Sequence, residues 1–144
     1  MSEKFVVGFD GSDAARRALD FAVDRAKALG GSVVVAHVLE WSPYSFLTPT
    51  ELEERHKRRR EELERAETAL MKPVVDALSG SGVTVESAIK YGNIAEQLGE
   101  IAKEAGASQV VIGRNGHSGI GSRVFGSVAG SLVQIAPVAT TVVP

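Results

Sequence analysis

The stretch at residues 32–39 reads SVVVAHVL, and it decides the class of fold. Three adjacent valines lie in a run whose apolar residues do not alternate with polar ones. A strand with one solvated face shows such an alternation, whereas a parallel strand covered on both faces is apolar almost throughout. We therefore expect residues 32–39 to be a central strand of a parallel sheet.

The residues before this strand complete a strand–helix–strand unit. Residues 4–9 (KFVVGF) form a short apolar run typical of a strand, and the DGSD turn after them supplies helix-capping residues. Across residues 14–29 the apolar positions recur at intervals of three and four, and Gly30-Gly31 provides a stop signal. The sequence therefore predicts strand one at 4–9 and helix one at 14–29.

A long helix is expected after the second strand. Thr50 with Glu53 three residues later has the spacing of a capping box, so we expect the helix to open there and to run to about Leu78. Pro73 lies inside this helix and should kink it or restart it near Met71, because proline lacks a backbone N–H.

Three strands and two helices complete the pattern. They are strand three at 83–92, a helix capped by Asn93 and ended by Gly106, strand four at 108–112, a final helix from Ser127 to about Ala136, and strand five at 138–143. Alternating strands and helices predict an α/β fold, in which right-handed crossovers place helix layers on both faces of a parallel sheet. We expect residues 1–144 to form a single domain of this kind.

Composition and charge exclude several classes of protein. The chain has 144 residues, no cysteine and a formal net charge of −2. Without cysteine there are no disulfides, thiolate nucleophiles or cysteine-ligated metal centres. A charge this small gives no electrostatic reason to expect nucleic acid as a partner. No apolar run approaches the roughly 18 residues of a membrane span, and the N-terminus lacks a signal-peptide pattern, so we expect a cytoplasmic protein with no membrane partner.

Residues 113–127 (GRNGHSGIGSRVFGS) contain five glycines between strand four and the final helix. Glycine lets backbone N–H groups approach an anion without obstruction, and the N-terminus of a helix adds partial positive charge. The hydroxyl of Ser127 lies where it can cap that helix or donate to a phosphate. The loop is therefore suited to phosphate, although glycine-rich loops also serve as plain turns.

A second polar signal follows strand one, where Asp10, Gly11 and Ser12 form a turn sequence. In open parallel sheets, ligands bind beyond the carboxyl ends of the strands, where the strand order reverses. If strand four lies beside strand one, this turn and the glycine-rich loop meet in one crevice. Asp10 then contacts a ligand or its metal ion, or serves the turn by accepting backbone N–H groups near helix one, and the two roles are compatible.

The spacing of the glycines is more specific than their number. The P-loop pattern G-x4-G-K-[ST] is absent, and the turn after strand one lacks the G-x-G-x2-G of dinucleotide-binding enzymes. Gly113, Gly116, Gly126 and Ser127 form G-x2-G-x9-G-[ST], which resembles the ATP-binding signature of the universal stress protein family. Similarity to that family extends over nearly the whole chain and is loose only at about residues 42–80.

The resemblance implies a Rossmann-like α/β fold, with a five-stranded parallel sheet in the order 3-2-1-4-5 and helices on both faces. It also implies an ATP molecule held at the crevice. Position 8 holds glycine where other members have proline. Carried over by position, the nucleotide-contacting residues would be Gly8, Asp10, Val38, Ile112, Gly113, Asn115, Gly116, Gly126, Ser127 and Val128.

The charge of a bound triphosphate predicts a metal ion, and the resemblance further implies a partner and a role. Mg²⁺ or Mn²⁺ would accompany the triphosphate, because backbone donors leave much of its charge uncompensated. The C-terminal strand would lie at a sheet edge, and antiparallel pairing with its copy would give a two-fold homodimer. The expected function is that of a nucleotide-responsive homodimeric regulator in stress response. The alternative is a nucleotide-independent dimeric protein-interaction module of the same fold.

Efficient catalysis is not expected. Neither Asp10 nor the loop supplies a water-activating base with an orienting partner, and no motif lysine reaches the β- and γ-phosphates. At most, slow ATP hydrolysis or phosphoryl transfer to Ser127 is expected. An adenylating or flavin-binding enzyme of similar architecture would need a substrate-activation motif that we do not find.

Other charged and aromatic side chains near the predicted crevice have more than one interpretation. Arg114 and Arg123 either offset phosphate charge or are solvated loop residues. Trp41, Tyr44 and Phe46 form a lid over the crevice, a surface for a partner or a small satellite core.

The histidines and the basic run do not predict a metal or nucleic-acid site. His37 and His117 lack companions at metal-ligand spacing. His37 is expected to be a structural residue of its strand and His56 to lie on a helix surface. The basic residues 57–60 have glutamates four positions away along the helix, so we interpret them as part of a solvated face.

Overall fold

A computed structural model of the chain describes residues 3–40, 48–114 and 127–144. The strands in these ranges are β1 (Lys4–Gly8), β2 (Ser32–Glu40), β3 (Thr84–Gly92), β4 (Gln109–Gly113) and β5 (Ala139–Val143). The helices are α1 (Asp13–Leu29), α2 (Pro49–Arg65), a π-helical segment (Ala66–Met71), α3 (Lys72–Ala77), α4 (Ile94–Ala105) and α5 (Ser127–Ile135). Among these helices, none is long and apolar enough to span a membrane.

The five strands form one parallel sheet in the order β3-β2-β1-β4-β5. This confirms the α/β fold and the strand order that the family resemblance implied. β2 pairs with β1 on one side and with β3 on the other, so it is an inner strand, as its apolar run predicts. β4 returns to lie beside β1, with Val6 opposite Val110. The strand order therefore reverses between β1 and β4.

Side chains that alternate along the strands fill two hydrophobic cores, one on each face of the sheet. On the first face, Phe5, Val7, Phe9, Val33, Val35 and Val111 pack against α1, Met71 and Val74. On the second face, Val6, Val34, Ala36, Val38, Val110 and Ile112 pack against α4 and α5. Because both faces are covered, the strands carry apolar residues at successive positions.

Local capping sets the ends of the two helices that pack most closely on the sheet. The Ser12 hydroxyl accepts a hydrogen bond from the Ala15 N–H at 3.1 Å and so caps α1, which ends at Gly30 with φ of 65°. The Asn93 side chain accepts from the Glu96 N–H at 3.0 Å and caps α4. The left-handed conformation at Gly30 is one that glycine adopts without the steric cost of a Cβ.

The long helix begins two residues earlier than the sequence predicts. Thr48, not Thr50, is its N-cap, because Pro49 follows and fits the first helical position, where no N–H partner is needed. The Thr48 hydroxyl accepts from the Glu51 N–H at 3.2 Å and donates to the Glu51 carboxylate at 3.0 Å. The prediction of Thr50 and Glu53 as the capping box is therefore wrong.

The predicted interruption near Met71 is confirmed and takes the form of a π-helical segment. The Lys72 N–H bonds to the Glu67 carbonyl, five residues back, and α3 begins at Lys72 just before Pro73. No residue of α2 itself is buried, which supports the interpretation of its charges as a solvated face.

Candidate functional site

Two polar segments meet at the carboxyl edge of the sheet, where β1 and β4 lie side by side. β1 ends at Gly8 and leads into the turn of residues 10–12, while β4 ends at Gly113 and leads into the glycine-rich loop. Of the two helices that follow these segments, α1 packs on the first face of the sheet and α5 on the second. Open parallel sheets bind ligands where the strand order reverses, which here is the position of the predicted crevice between the two segments.

The side chain of Asp10 shapes the first of these segments. Its Oδ1 accepts a hydrogen bond from the Ser12 N–H at 2.9 Å, and Gly11 between them has φ of 82°. Ser12 in turn caps α1. The interpretation of Asp10 as a turn-forming residue is thus confirmed, and this half-buried residue lies just beyond the carboxyl end of β1.

Four of the candidate site residues lie on the second face of the sheet, near its carboxyl edge. Val38 and Ile112 are buried there, 8% and 4% exposed, in a cluster that also contacts Val128 of α5. Gly8 faces the same cluster, because a Cβ at Gly8 would stand 3.1 Å from both Ile112 Cγ2 and Leu98 Cδ1. A larger residue at position 8 would therefore require these two side chains to move by a few tenths of an ångström.

Packing requires glycine at position 113, and this requirement is separate from its place in the glycine spacing. A Cβ at Gly113 would stand 2.7 Å from both the Cβ and the carbonyl carbon of Ala14, in the first turn of α1. Such a contact is closer than real Cβ atoms tolerate, so the start of α1 can approach the end of β4 only if residue 113 is glycine. Beyond it, the Arg114 N–H donates to the Val143 carbonyl at 2.8 Å and extends the pairing with β5.

One histidine and two arginine side chains contact carbonyl oxygens or an aromatic ring near this edge. His37 Nδ1 lies 2.8 Å from the Phe9 carbonyl oxygen, which confirms its structural role in the strand. The guanidinium of Arg16 lies 5.7 Å from the centroid of the Phe9 ring, and Arg17 Nε donates to the Pro144 carbonyl at 3.0 Å. Neither arginine was predicted from the sequence as a site residue, although both closely follow the Ser12 cap of α1.

Several predicted site residues lie outside the described ranges. They are Asn115, Gly116 and Gly126, together with Arg123, His117 and the aromatic residues Trp41, Tyr44 and Phe46. Ser127 is the first residue of α5. Arg114 is exposed. Within the described part of the chain, no three His, Asp or Glu side chains are grouped so as to hold a metal ion.

Comparison with known proteins identifies relatives over the full length of the chain. The family model described as "Universal stress protein family" matches residues 1–144. A protein from Thermus aquaticus named "Universal stress protein in QAH/OAS sulfhydrylase 3'region" is 35% identical over 138 residues, which is 95% of each chain. The universal stress protein UspA from Lactobacillus plantarum is 23% identical and covers 99% of this chain and 97% of its own, with a TM-score of 0.82.

Two further solved structures are nucleotide complexes. A universal stress protein in complex with cAMP is 25% identical, with 99% of this chain and 97% of its own covered and a TM-score of 0.69. A universal stress protein from Archaeoglobus fulgidus in complex with dAMP is 24% identical, with 100% of this chain and 98% of its own covered and a TM-score of 0.62. The match of the family model along all 144 residues, supported by the Thermus relative, shows that this chain belongs to the universal stress protein family.

Proposed function

We propose that the chain binds ATP at the carboxyl edge of its sheet and acts as a nucleotide-responsive homodimeric regulator in stress response. The observation that carries this proposal is the pairing of β1 with β4, which brings the turn of residues 10–12 beside Gly113. Gly113 opens the G-x2-G-x9-G-[ST] signature, and Ser127, which closes it, begins α5. Because α5 connects two parallel strands, its first residue belongs to the same edge of the sheet.

The two chemical parts of ATP suit different parts of this crevice. The adenine ring is proposed to lie at the carboxyl end of β2, against the main chain and the small exposed part of Val38, which is 8% exposed. The glycine-rich loop offers backbone N–H groups to the phosphates, and the N-terminus of α5 adds its partial positive charge. Gly8 brings the backbone of β1 close to the apolar cluster that includes Val38 and Ile112.

A divalent cation is part of the proposal. Mg²⁺ is commonly held by one or two carboxylates together with the phosphates of its nucleotide, so it does not require a cluster of protein ligands. Asp10 is the carboxylate of the proposed site, and its Oδ1 is oriented by the Ser12 N–H. Mg²⁺ or Mn²⁺ bound with ATP would reduce the negative charge that the loop amides alone must offset.

The nucleotide complexes of the structural neighbours support an adenine nucleotide in particular. The neighbours' ligands, cAMP and dAMP, share the adenine base and a phosphate and differ in the sugar and in the number of ester bonds. The choice of ATP for this chain rests on the glycine signature rather than on those ligands.

The homodimer is proposed from the outer edge of the sheet. β5 is the last strand in the sheet order and pairs with β4 alone among the described strands, so its other edge presents unpaired backbone groups. Val133 and Ile135 on the preceding helix α5 are 54% and 52% exposed. Antiparallel pairing of β5 with its copy would be a closed two-fold contact that covers this edge.

Nucleotide release tests the ligand part of the proposal. The purified protein is denatured, and the supernatant is analysed by mass spectrometry, with Ser127→Ala as the comparison. Gly113→Ala is unsuited to this purpose because the added Cβ meets Ala14. We expect an adenine nucleotide from the wild type and less from the variant. A wild type that releases none and that binds no added ATP would favour the nucleotide-independent interaction module.

Light scattering tests the dimer. Ala139→Lys places a charge on the edge strand at an exposed position, and Leu29→Lys places the same charge on the exposed end of α1. We expect the wild type and Leu29→Lys to have the mass of a dimer and Ala139→Lys to dissociate. A monomeric wild type, or a dimer that Ala139→Lys leaves unchanged, would contradict pairing through β5.

A further inference from the structure

His37 makes a hydrogen bond at the point where the pairing of β1 with β2 ends. The residue lies in β2, and its Nδ1 is 2.8 Å from the carbonyl oxygen of Phe9, 28 residues earlier in the chain. A carbonyl oxygen can only accept, so Nδ1 carries the hydrogen and donates. The bond also fixes the orientation of the imidazole, which is half-buried on the first face of the sheet.

Both backbone groups of Phe9 are therefore held by β2. The Phe9 N–H donates to the Ala36 carbonyl at 2.8 Å, and the Phe9 carbonyl accepts from the His37 side chain. β1 itself ends one residue earlier, at Gly8. The imidazole thus fixes the peptide between Phe9 and Asp10 just beyond the regular ladder, where the chain turns toward α1.

A series of hydrogen bonds continues from this peptide to the helix. The Ser12 N–H donates to Asp10 Oδ1 at 2.9 Å, and the Ala15 N–H donates to the Ser12 hydroxyl at 3.1 Å. On the other side, the start of α1 rests on Gly113. The turn is consequently held from β2 through His37 and from β4 through Gly113.

We propose that His37 is a positioning residue of the nucleotide site, which orients the Asp10 carboxylate and the first turn of α1 without touching the nucleotide. The inference rests on the proposed function, because Asp10 is taken to contact ATP or its metal ion. His37 also precedes Val38, so one short segment of β2 supplies an adenine contact and the support for the opposite side of the crevice. Residues that hold a binding group in place contribute to affinity by fixing its geometry before the ligand arrives.

Three substitutions separate positioning from general stability. His37→Asn keeps an N–H donor attached to Cγ, as Nδ1 is, whereas His37→Gln moves the donor one bond further out and His37→Phe removes it. Affinity for ATP with Mg²⁺ is measured by calorimetry at a temperature where every variant is folded. Hydrogen exchange of the Ser12 amide is measured in the same proteins without nucleotide.

We expect His37→Phe to lower the affinity for ATP about 3- to 10-fold, the size that corresponds to losing one hydrogen bond, and to speed exchange of the Ser12 amide. His37→Asn should restore most of both properties, and His37→Gln should not. If His37→Phe fails to fold, the contrast between His37→Asn and His37→Gln carries the test. Equal affinity and equal exchange in all folded variants would overturn the positioning role.

Measurement of ATP binding by the wild type separates the proposed function from the role of His37. A wild type that binds no ATP contradicts the proposed function, whatever the variants do. A wild type that binds ATP together with a His37→Phe protein of unchanged affinity contradicts the role of His37 alone.

Discussion

Ala14 at the start of α1 lies against Gly113 at the end of β4 so closely that a Cβ on Gly113 would stand 2.7 Å from the Ala14 Cβ. Ala14 follows the turn of residues 10–12 by two positions, and Gly113 is the first residue of the glycine-rich loop. Their contact ties the start of α1 to the end of β4. The first glycine of the signature therefore has a packing role in addition to any role toward phosphate.

Gly113→Ala should destabilise the fold. The added methyl group meets backbone atoms, which cannot move aside as a flexible side chain can, so we expect the free energy of unfolding to fall by about 1–3 kcal/mol. Gly99→Ala is the matched control, because its Cβ would stand 3.3 Å from Pro137 Cδ and helix α4 gains from alanine. Urea unfolding of both variants checks this, and similar stabilities would contradict the packing role of Gly113.

Asp10→Asn should separate the charge of Asp10 from its part in the turn. Asparagine retains an Oδ1 that can accept from the Ser12 N–H, so we expect the free energy of unfolding to change by less than about 1 kcal/mol. The variant lacks the negative charge that favours a divalent cation, so the increase in ATP affinity produced by Mg²⁺ should fall on the order of 10-fold. Titrations with and without Mg²⁺ measure this increase. The same Mg²⁺-dependent increase in both proteins would mean that Asp10 serves only to form the turn.

The two N-cap residues Asn93 and Thr48 should differ in their effect on global stability. Both accept a backbone hydrogen bond, at 3.0 and 3.2 Å respectively, and removing a cap costs about 1 kcal/mol. Because α4 buries Leu98 and Ile101 whereas α2 buries no residue, Asn93→Ala should lower the free energy of unfolding. Thr48→Ala should mainly speed hydrogen exchange in the first turn of α2. Equal global losses would show that α2 unfolds only with the rest of the protein.

Neighbouring threonines of β5 should respond to valine with opposite signs. Thr140 Oγ1 is buried and has no hydrogen-bond partner within the described structure, while Thr141 Oγ1 donates to Gln109 Oε1 at 2.5 Å. Thr140→Val removes an unsatisfied hydroxyl, so stability should hold or rise by up to about 1.5 kcal/mol. Thr141→Val loses a bond and should cost about 0.5–1.5 kcal/mol. Thermal unfolding of the two variants measures both changes in stability. A larger loss of stability for Thr140→Val than for Thr141→Val would contradict the description of the Thr140 hydroxyl as unsatisfied.

Much of the fold could be predicted because its signals are local. Apolar runs locate the five strands of the described residues to within one residue, and the caps Ser12 and Asn93 and the stop at Gly30 are read from neighbouring residues. The capping box was misplaced by two residues because two threonines offered similar spacing and the effect of Pro49 was not weighed. The strand order came from the family resemblance, since periodicity carries no information on which strands pair.

The site was predicted less completely, because its contacts join distant parts of the chain. The bond from His37 to Phe9 depends on how β2 is aligned with β1, and the clash at Gly113 depends on where α1 begins. Neither relation leaves a pattern in the sequence. The nucleotide-contacting roles of all ten predicted site residues, among them Asn115, Gly116, Gly126 and Ser127, stay predictions, as do the homodimer, the cytoplasmic location and the single domain.

Calorimetric titration of the intact protein with ATP and Mg²⁺ tests the central claim most directly, since every role given to the crevice depends on its holding a nucleotide. We predict one ATP per chain, weaker binding in Ser127→Ala, and weaker binding of a pyrimidine nucleotide than of ATP. A wild type that is folded but takes up no ATP at millimolar concentrations would contradict the claim and leave β5 and its dimer as the functional surface.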